Sequence, residues 1–157
     1  MKGGYAALAL VFLVSCRGAP PVISDYHPPP ISAAAVLDAV PTADPILPVG
    51  NKSPYEVFGQ RYAVMASATG YTEEGIASWY GMKFQGRATS NGEVFDVYKA
   101  TAAHKTLPLP SYLRVTNLDN GTSMIVRVND RGPFVDDRLI DLSYGAAVRL
   151  GFDQQGT

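Results

Sequence analysis

The chain has 157 residues, a net charge of −1 and 46% hydrophobic residues, which suits one modest domain with extensions. Because positive and negative charges nearly balance, the protein has no net field that would attract nucleic acid. A nucleic-acid-binding role therefore has no electrostatic support. The sequence contains a single cysteine, Cys16, which excludes an intramolecular disulfide and leaves the fold to be stabilised by packing.

The N-terminus has the pattern of an export signal. Lys2 precedes an apolar run over residues 5–14, which is too short to span a bilayer as a permanent helix. The four residues ending at Cys16 resemble a bacterial lipobox, which implies that residues 1–15 are a lipoprotein signal peptide and that Cys16 is lipidated. An ordinary signal peptide with an incidental cysteine is the alternative. Arg17 stands where an Asp would signal inner-membrane retention, so we expect a protein anchored in the outer membrane and facing the periplasm.

Two segments precede the predicted domain. Residues 16–49 hold the cysteine and eight of the twelve prolines, and they predict an extended or disordered Pro/Ala-rich tether. Residues 50–74 predict a lead-in that packs against the domain. Within it, Gly59-Gln60 lies between two apolar runs and indicates the centre of a small hairpin.

From Gly75 onward the pattern is mainly that of β-strands. A polar, glycine-containing stretch over residues 82–98 predicts a long loop, which in a compact domain is often functional. Ser143 and Gly151 are suited to cap and end one short helix. The predicted strands cover residues 76–80, 113–118 and 122–129, with a hairpin turn at 119–121. Many short strands with one helix indicate a small closed barrel.

Asp130 and Asp141 are the strongest candidates for catalysis. Asp130 follows the strand pattern of residues 124–128 and precedes a Gly-Pro pair, so it lies at a strand end that can face a cleft. Asp141 lies in a short apolar run, where burial would raise its pKa and suit it to general acid catalysis. For both residues the alternative is turn or helix-cap hydrogen bonding, with Arg131 or Arg138 neutralising the charge.

Other candidates follow from residue type and place. Glu93 and Asp96 on the long loop are either solvated charges or carboxylates that face the cleft. His104 is either a hydrogen-bonded structural histidine or a site residue. His27 falls in the tether, so no histidine cluster is present and no metal site is predicted.

Aromatic and basic residues suggest a binding groove. Trp79 and Tyr80 are adjacent in a strand and point to opposite faces, so we expect one ring in the core and the other in a groove. Arg87 and Arg131 either pair with the carboxylates or hold acidic or N-acetyl groups of a ligand.

Four blocks of sequence resemble, in family order, the rare lipoprotein A family of peptidoglycan lytic transglycosylases. The blocks are residues 75–81 (GIASWYG), 86–93 (GRATSNGE), 101–108 (TAAHKTLP) and 129–134 (NDRGPF). The resemblance implies that residues 75–153 form a mainly β fold, a small six-stranded double-psi β-barrel with one or two short helices.

The resemblance also implies roles for the candidate residues. Residues 140–143 are similar to the strand that carries the acid in other double-psi barrel transglycosylases, which favours Asp141 as the acid and Asp130 next. Glu93 and His104 are implied to act with them. The residues implied to contact the substrate are Trp79, Tyr80, Arg87, Asp96 and Arg131.

The implied reaction is endolytic, non-hydrolytic cleavage of the β-1,4 bond between N-acetylmuramic acid and N-acetylglucosamine. The product carries a 1,6-anhydromuramyl end, and neither a metal nor a cofactor is required. The implied partners are peptidoglycan glycan strands, preferably free of peptides, the membrane through Cys16, and cell-division proteins. Two alternatives remain at this point: a non-catalytic, expansin-like glycan-binding lipoprotein, and a structural lipoprotein.

Overall fold

The computed structural model describes residues 27–135 and 137–154. The predicted signal peptide and Cys16 lie outside these residues. In the part of the chain that is described, no helix is long and apolar enough to cross a membrane. The regular elements are β1 (Tyr55–Val57), β2 (Gln60–Tyr62), β3 (Ile76–Tyr80), β4 (Thr101–His104), β5 (Ser111–Thr116), β6 (Ser123–Asp130), β7 (Arg138–Ser143) and α1 (Tyr144–Leu150), with 3-10 turns at Ala33–Ala35 and Met82–Phe84.

The main sheet has the strand order β3-β7-β4-β6-β5. The pairs β3–β7 and β4–β6 are parallel, whereas β4–β7 and β5–β6 are antiparallel. The mainly β prediction is confirmed, but the described sheet has five strands where six were predicted. In the long loop only an isolated bridge between Ala88 and Val94 forms. Backbone hydrogen bonds join the two sides of this loop, among them Phe95 amide to Arg87 carbonyl at 2.8 Å, and the Val97 amide donates to Gln85 Oε1 at 2.7 Å.

The two faces of the main sheet differ in polarity because side chains alternate along each strand. One face is buried in the core and includes Ala102, Val126, Val128, Ile140 and Leu142. The other, which we call the polar face, carries Ser78, Tyr80, Thr101, Arg127, Asp130, Asp141 and Ser143. Ser78, Thr101 and Ser143 on the second face are buried as well, so only its partly exposed residues, among them Arg127, Asp130 and Asp141, can contribute to a site.

The predicted helix and hairpin are both present. Ser143 caps α1, since its Oγ accepts from the Ala146 amide at 3.2 Å, and Gly151 ends it with φ 76°. In the β1–β2 hairpin the central residues are Phe58 and Gly59, with φ 51° and 78°, one position before the predicted centre. Two consecutive positive φ angles are what a tight two-residue hairpin turn requires.

Of the predicted Pro/Ala-rich tether over residues 16–49, residues 27–49 are described, and they are held against the barrel. Apart from the 3-10 turn at Ala33–Ala35, this segment has little regular secondary structure, but it packs on the barrel. Val36 is buried in the main core, and the Ala39 amide donates to the Ile125 carbonyl at 2.9 Å. Asp44 pairs with Arg127. Proline fixes the extended backbone, but only these contacts with distant residues decide whether it lies free or bound.

Candidate active site

Asp130 and Asp141 lie in one row across the polar face, on either side of Ala103. Ala103 in β4 is paired with Asp141 in β7 and with Asp130 in β6. Because adjacent strands are about 4.8 Å apart, the two Cα atoms are separated by about 10 Å. Between them in the row lies Ala103, which is buried, whereas both aspartates are partly exposed.

Asp141 is held by its neighbours on β3 and β7. Ser78 donates a short hydrogen bond to Asp141 Oδ1, and Arg138 Nη2 lies 3.7 Å from Oδ2. Arg138 Nη1 in turn donates to Ser78 Oγ at 2.8 Å. Burial raises the pKa of Asp141, and the opposing effects of Ser78, Arg138 and Lys105 do not cancel it. Asp141 is therefore the carboxyl suited to carry a proton, as predicted.

Asp130 is fixed at the end of β6 through one oxygen. Its Oδ1 accepts from the Ser90 amide at 2.8 Å, from Ser90 Oγ at 2.5 Å and from the Arg131 amide at 2.8 Å. These bonds are the turn chemistry considered as the alternative, and they also attach the long loop to the strand end. In the described residues, Oδ2 accepts no hydrogen bond, which leaves that oxygen available to a ligand.

Glu93 is an ionised carboxylate that forms an ion pair with the Arg127 guanidinium. It accepts from Arg127 Nη2 at 2.7 Å, from Asn129 Nδ2 at 2.9 Å and from Asn91 Nδ2 at 2.8 Å. Burial would raise the pKa of Glu93, but the hydrogen bonds from Arg127, Asn129 and Asn91 outweigh it and lower the pKa below its usual range. The structure brings Glu93 to the polar face, as predicted, in a form that cannot donate a proton.

His104 points away from the two aspartates. It is paired with Ile140 in the row next to Ala103, so its side chain lies on the buried face. Its Nδ1 accepts from the Thr106 amide at 3.2 Å and the Leu107 amide at 3.1 Å, so the proton is on Nε2, 2.9 Å from the Tyr71 hydroxyl. Burial lowers the pKa of His104 to about 4. These contacts match the structural alternative.

This arrangement predicts that His104 destabilises the fold as the pH falls from 6.5 to 4. In that range the unfolded chain binds a proton that the folded chain excludes, so lowering the pH favours unfolding by up to about 3 kcal/mol. Urea unfolding at pH 7 and pH 4.5 measures the loss. The control is His104→Asn, which keeps an acceptor for the Thr106 and Leu107 amides and should lose less stability. A pKa near 6.5 for the His104 imidazole, measured by NMR in the folded protein, would contradict the assignment.

Trp79 and Tyr80 both pack against other aromatic rings. The Trp79 ring lies 5.3 Å from Tyr144 and 4.9 Å from His27, and the Tyr80 ring stacks on Phe95 at 4.4 Å. Burial raises the pKa of the Tyr80 hydroxyl, with Asp130 adding to the effect. The prediction that one of the two rings stands free in a groove is therefore not met, because aromatic neighbours cover both.

The remaining candidates have local roles. Arg131 donates to the carbonyls of Gly50 at 2.9 Å and Leu107 at 2.5 Å, so its guanidinium binds backbone. Asp96 Oδ1 accepts from the Tyr98 amide at 3.1 Å, which is a turn contact. Arg87 is exposed beside Phe84. Of these three, only Arg87 is placed to reach a ligand freely.

Three residues of the site were missed by sequence reasoning. Ser78 is two residues from Tyr80 and shares its face, which was a readable signal, whereas Arg127 shares a face with Asp130 only through the register shift between β4 and β6. Asp44 had none, since it lies in the proline-rich segment and meets Arg127 only in the folded chain. Among the described residues, no three His, Cys, Asp or Glu side chains converge to hold a metal ion.

Comparison with known sequences identifies the family. The model of a family described as "Lytic transglycolase" matches residues 72–157, more than half of the chain. The chain therefore belongs to the rare lipoprotein A family, whose domain is the double-psi β-barrel, as the four sequence blocks predicted.

Several relatives bear the name "Endolytic peptidoglycan transglycosylase RlpA". The protein of Vibrio cholerae serotype O1 is 54% identical over 137 residues, which cover 86% of this chain and 52% of that protein. The protein of Pseudomonas aeruginosa strain PAO1 is 51% identical over 166 residues, covering 96% and 48% respectively. That of Neisseria meningitidis serogroup A is 54% identical over 123 residues, covering 78% and 51%. The chain thus spans about half the length of the curated relatives it matches.

Proposed function

We propose that this protein is an endolytic peptidoglycan lytic transglycosylase. The observation that carries the proposal is the row in which Asp141 and Asp130 flank Ala103 on one face of the sheet. The names of the relatives, all endolytic peptidoglycan transglycosylases, support the choice of peptidoglycan glycan as the substrate.

The two carboxyl groups divide the work by their surroundings. Asp141, whose pKa burial raises, donates its proton to the bridging oxygen as the bond from that oxygen to C1 of N-acetylmuramic acid breaks. Asp130 takes the proton of the muramic 6-hydroxyl through its available oxygen, and O6 forms a new bond to C1. One proton leaves Asp141 and one reaches Asp130, so the products are an anhydromuramyl end and a free 4-hydroxyl. The nucleophile belongs to the substrate, unlike that of a hydrolase.

The proposal includes the setting of the reaction. Lipidation at Cys16 would anchor the protein in the outer membrane facing the periplasm, and multiple acyl chains give stable anchoring. Packing of residues 27–49 on the barrel leaves only the stretch before His27 as spacer between anchor and domain. Peptide-free glycan strands are the preferred substrate in this proposal, and cell-division proteins are the proposed partners.

The test is the product formed from defined glycan. The full chain is incubated with purified peptide-stripped glycan strands and, separately, with intact sacculi, and soluble products are identified by mass spectrometry. We expect 1,6-anhydromuramyl ends, formed faster from the stripped strands. Reducing muramic ends would indicate hydrolysis instead. Glycan that is bound but not cut would replace the enzyme with an expansin-like binding protein.

A further inference from the structure

A small cavity lies beside the polar face, between the N-terminal segment and the long loop. Its volume is about 310 Å³, near the lower end of the range for small-molecule sites. One wall is apolar and the other polar. The lining includes Pro45, Leu47, Val49 and Leu109 on the first wall and Glu93 and Arg127 on the second. Leu47 and Val49 are about half exposed (52% and 50%), so their apolar side chains are accessible at this wall.

The N-terminal wall of this cavity is fixed at its far end. Asn51 Nδ2 donates to the Leu47 carbonyl at 2.7 Å and to the Leu109 carbonyl at 2.6 Å, and the Leu109 amide donates back to Asn51 Oδ1 at 2.7 Å. Gly50, with φ 76°, lies so close to Ser90 that a Cβ would come within 2.7 Å of the Ser90 carbonyl oxygen. The wall is therefore preformed, which reduces the entropic cost of binding.

Asp44 holds the N-terminal end of the same wall, opposite the end that Asn51 fixes. Its Oδ2 accepts from Arg127 and from the Tyr112 hydroxyl, the latter at 2.9 Å. The hydrogen bonds from Thr42, Arg127 and Tyr112 lower the pKa of Asp44 to about 2, so it stays ionised throughout the physiological range. Arg127 is thus held between two carboxylates, Asp44 on one side and Glu93 on the other.

The chemistry of the cavity suits an amino sugar. A pyranose ring has an apolar C–H face, and an N-acetyl group adds a methyl and an amide, which match an apolar wall opposite a polar one. Arg127 has five N–H donors, of which four reach Asp44, Tyr112 and Glu93; in the described residues the fifth, on Nη2, has no partner. That N–H is suited to an amide carbonyl or hydroxyl of a ligand.

The cavity also has a defined relation to the proposed chemistry. Asn91 lines it, and the preceding residue, Ser90, donates twice to Asp130. The cavity therefore lies on the Asp130 side of the aspartate pair. The segment that builds its N-terminal wall precedes residues 72–157, the part of the chain that the family model matches.

We infer that this cavity is a subsite for one N-acetylhexosamine residue of the glycan strand, adjacent to the reacting bond on the Asp130 side, and that residues 44–49 form its specific wall. The inference rests on the proposed function and extends it, because it assigns substrate binding to a segment outside the matched domain. Asp44 acts there as a positioning residue, through Arg127.

The test compares Asp44→Asn with Asp38→Asn in the full chain. Asp38 lies on the same segment, is exposed and makes no side-chain hydrogen bond or ion pair in the described residues, so its replacement changes the charge equally. We expect Asp44→Asn to raise KM for peptide-stripped glycan strands about tenfold with kcat within about twofold, since a charge-assisted contact is lost on the binding side. Asp44→Glu should restore part of the affinity, and Leu47→Ser, at an exposed position, should raise KM as well.

The outcomes separate the two proposals. An unchanged KM in both Asp44→Asn and Leu47→Ser overturns the subsite. A lower thermal midpoint of Asp44→Asn with an unchanged KM also overturns the subsite, because Asp44 then has a purely structural role. If the wild-type chain forms no anhydromuramyl ends, the proposed reaction fails, and the Kd for the same glycan strands is measured instead. A weaker Kd in Asp44→Asn but not in Asp38→Asn then still supports the subsite, and equal Kd values overturn it.

Discussion

Replacing either aspartate of the row by asparagine should reduce the rate of anhydromuramyl formation at least about 100-fold, since general acid–base catalysis contributes 10²–10⁴. Asn is nearly isosteric, and its Oδ1 can still accept from Ser78 at position 141, or from Ser90 and the Arg131 amide at position 130. The loss would therefore come from proton transfer rather than from folding. In the wild-type protein, activity should fall as the pH rises through the raised pKa of Asp141.

Asp119→Asn is the matched control for both variants. Asp119 lies exposed in the β5–β6 turn, and its replacement should leave the rate unchanged. Product formation is measured at several glycan concentrations, with thermal unfolding of each variant beside it. If only one of the two site variants loses activity, a single carboxyl both donates and accepts the proton, and the division of roles between Asp141 and Asp130 is wrong.

Gly145→Ala should destabilise the fold by about 2–3 kcal/mol. In an unobstructed helix the same change would stabilise by about 1 kcal/mol, because alanine has the higher helix propensity. Here an added Cβ would lie 2.7 Å from the Tyr98 carbonyl carbon and closer still to its oxygen. Backbone cannot rotate aside as a side chain does, so overpacking outweighs propensity. The displacement would also weaken the hydrogen bond from the Gly145 amide to the Val97 carbonyl, now 2.8 Å.

Urea unfolding of Gly145→Ala and Gly121→Ala measures this effect. At Gly121 an added Cβ meets nothing within 4 Å, and only its φ of 73° opposes the change, which costs about 1 kcal/mol. The larger loss at Gly145 would locate the contact between α1 and the long loop as a point of close packing. A stabilised Gly145→Ala protein would show instead that the loop yields and that helix propensity decides.

Local patterns were enough for most of the elements. The strand over residues 76–80, the β5–β6 hairpin and the helix capped by Ser143 follow from alternation, turn residues and capping, all of which act within a few residues. The hairpin centre was misplaced by one residue, because Gly59 fits either position of a tight turn. The described main sheet has five strands, and the long loop, predicted as a loop, contains only an isolated bridge with backbone hydrogen bonds such as that from the Phe95 amide to the Arg87 carbonyl.

The candidate site shows where local patterns end. Asp130 and Asp141 were found from their surroundings in sequence, but nothing local places them in one row, because that depends on Ala103 pairing with both. His104 is adjacent to Ala103 in the chain and faces the other side of the sheet, since alternate residues of a strand point oppositely.

Thus the amino-acid sequence alone identified the family and the mainly β class and pointed to the two candidate aspartates, because motif, alternation and turn chemistry are encoded within short stretches. Tertiary structure alone decided that Glu93 is ionised against Arg127, that His104 is a buried neutral histidine, and that residues 27–49 pack on the barrel. Each of these depends on partners far away in the chain, such as Asp44 and Arg127, 83 positions apart. Such partners meet only when the strand order and register have formed.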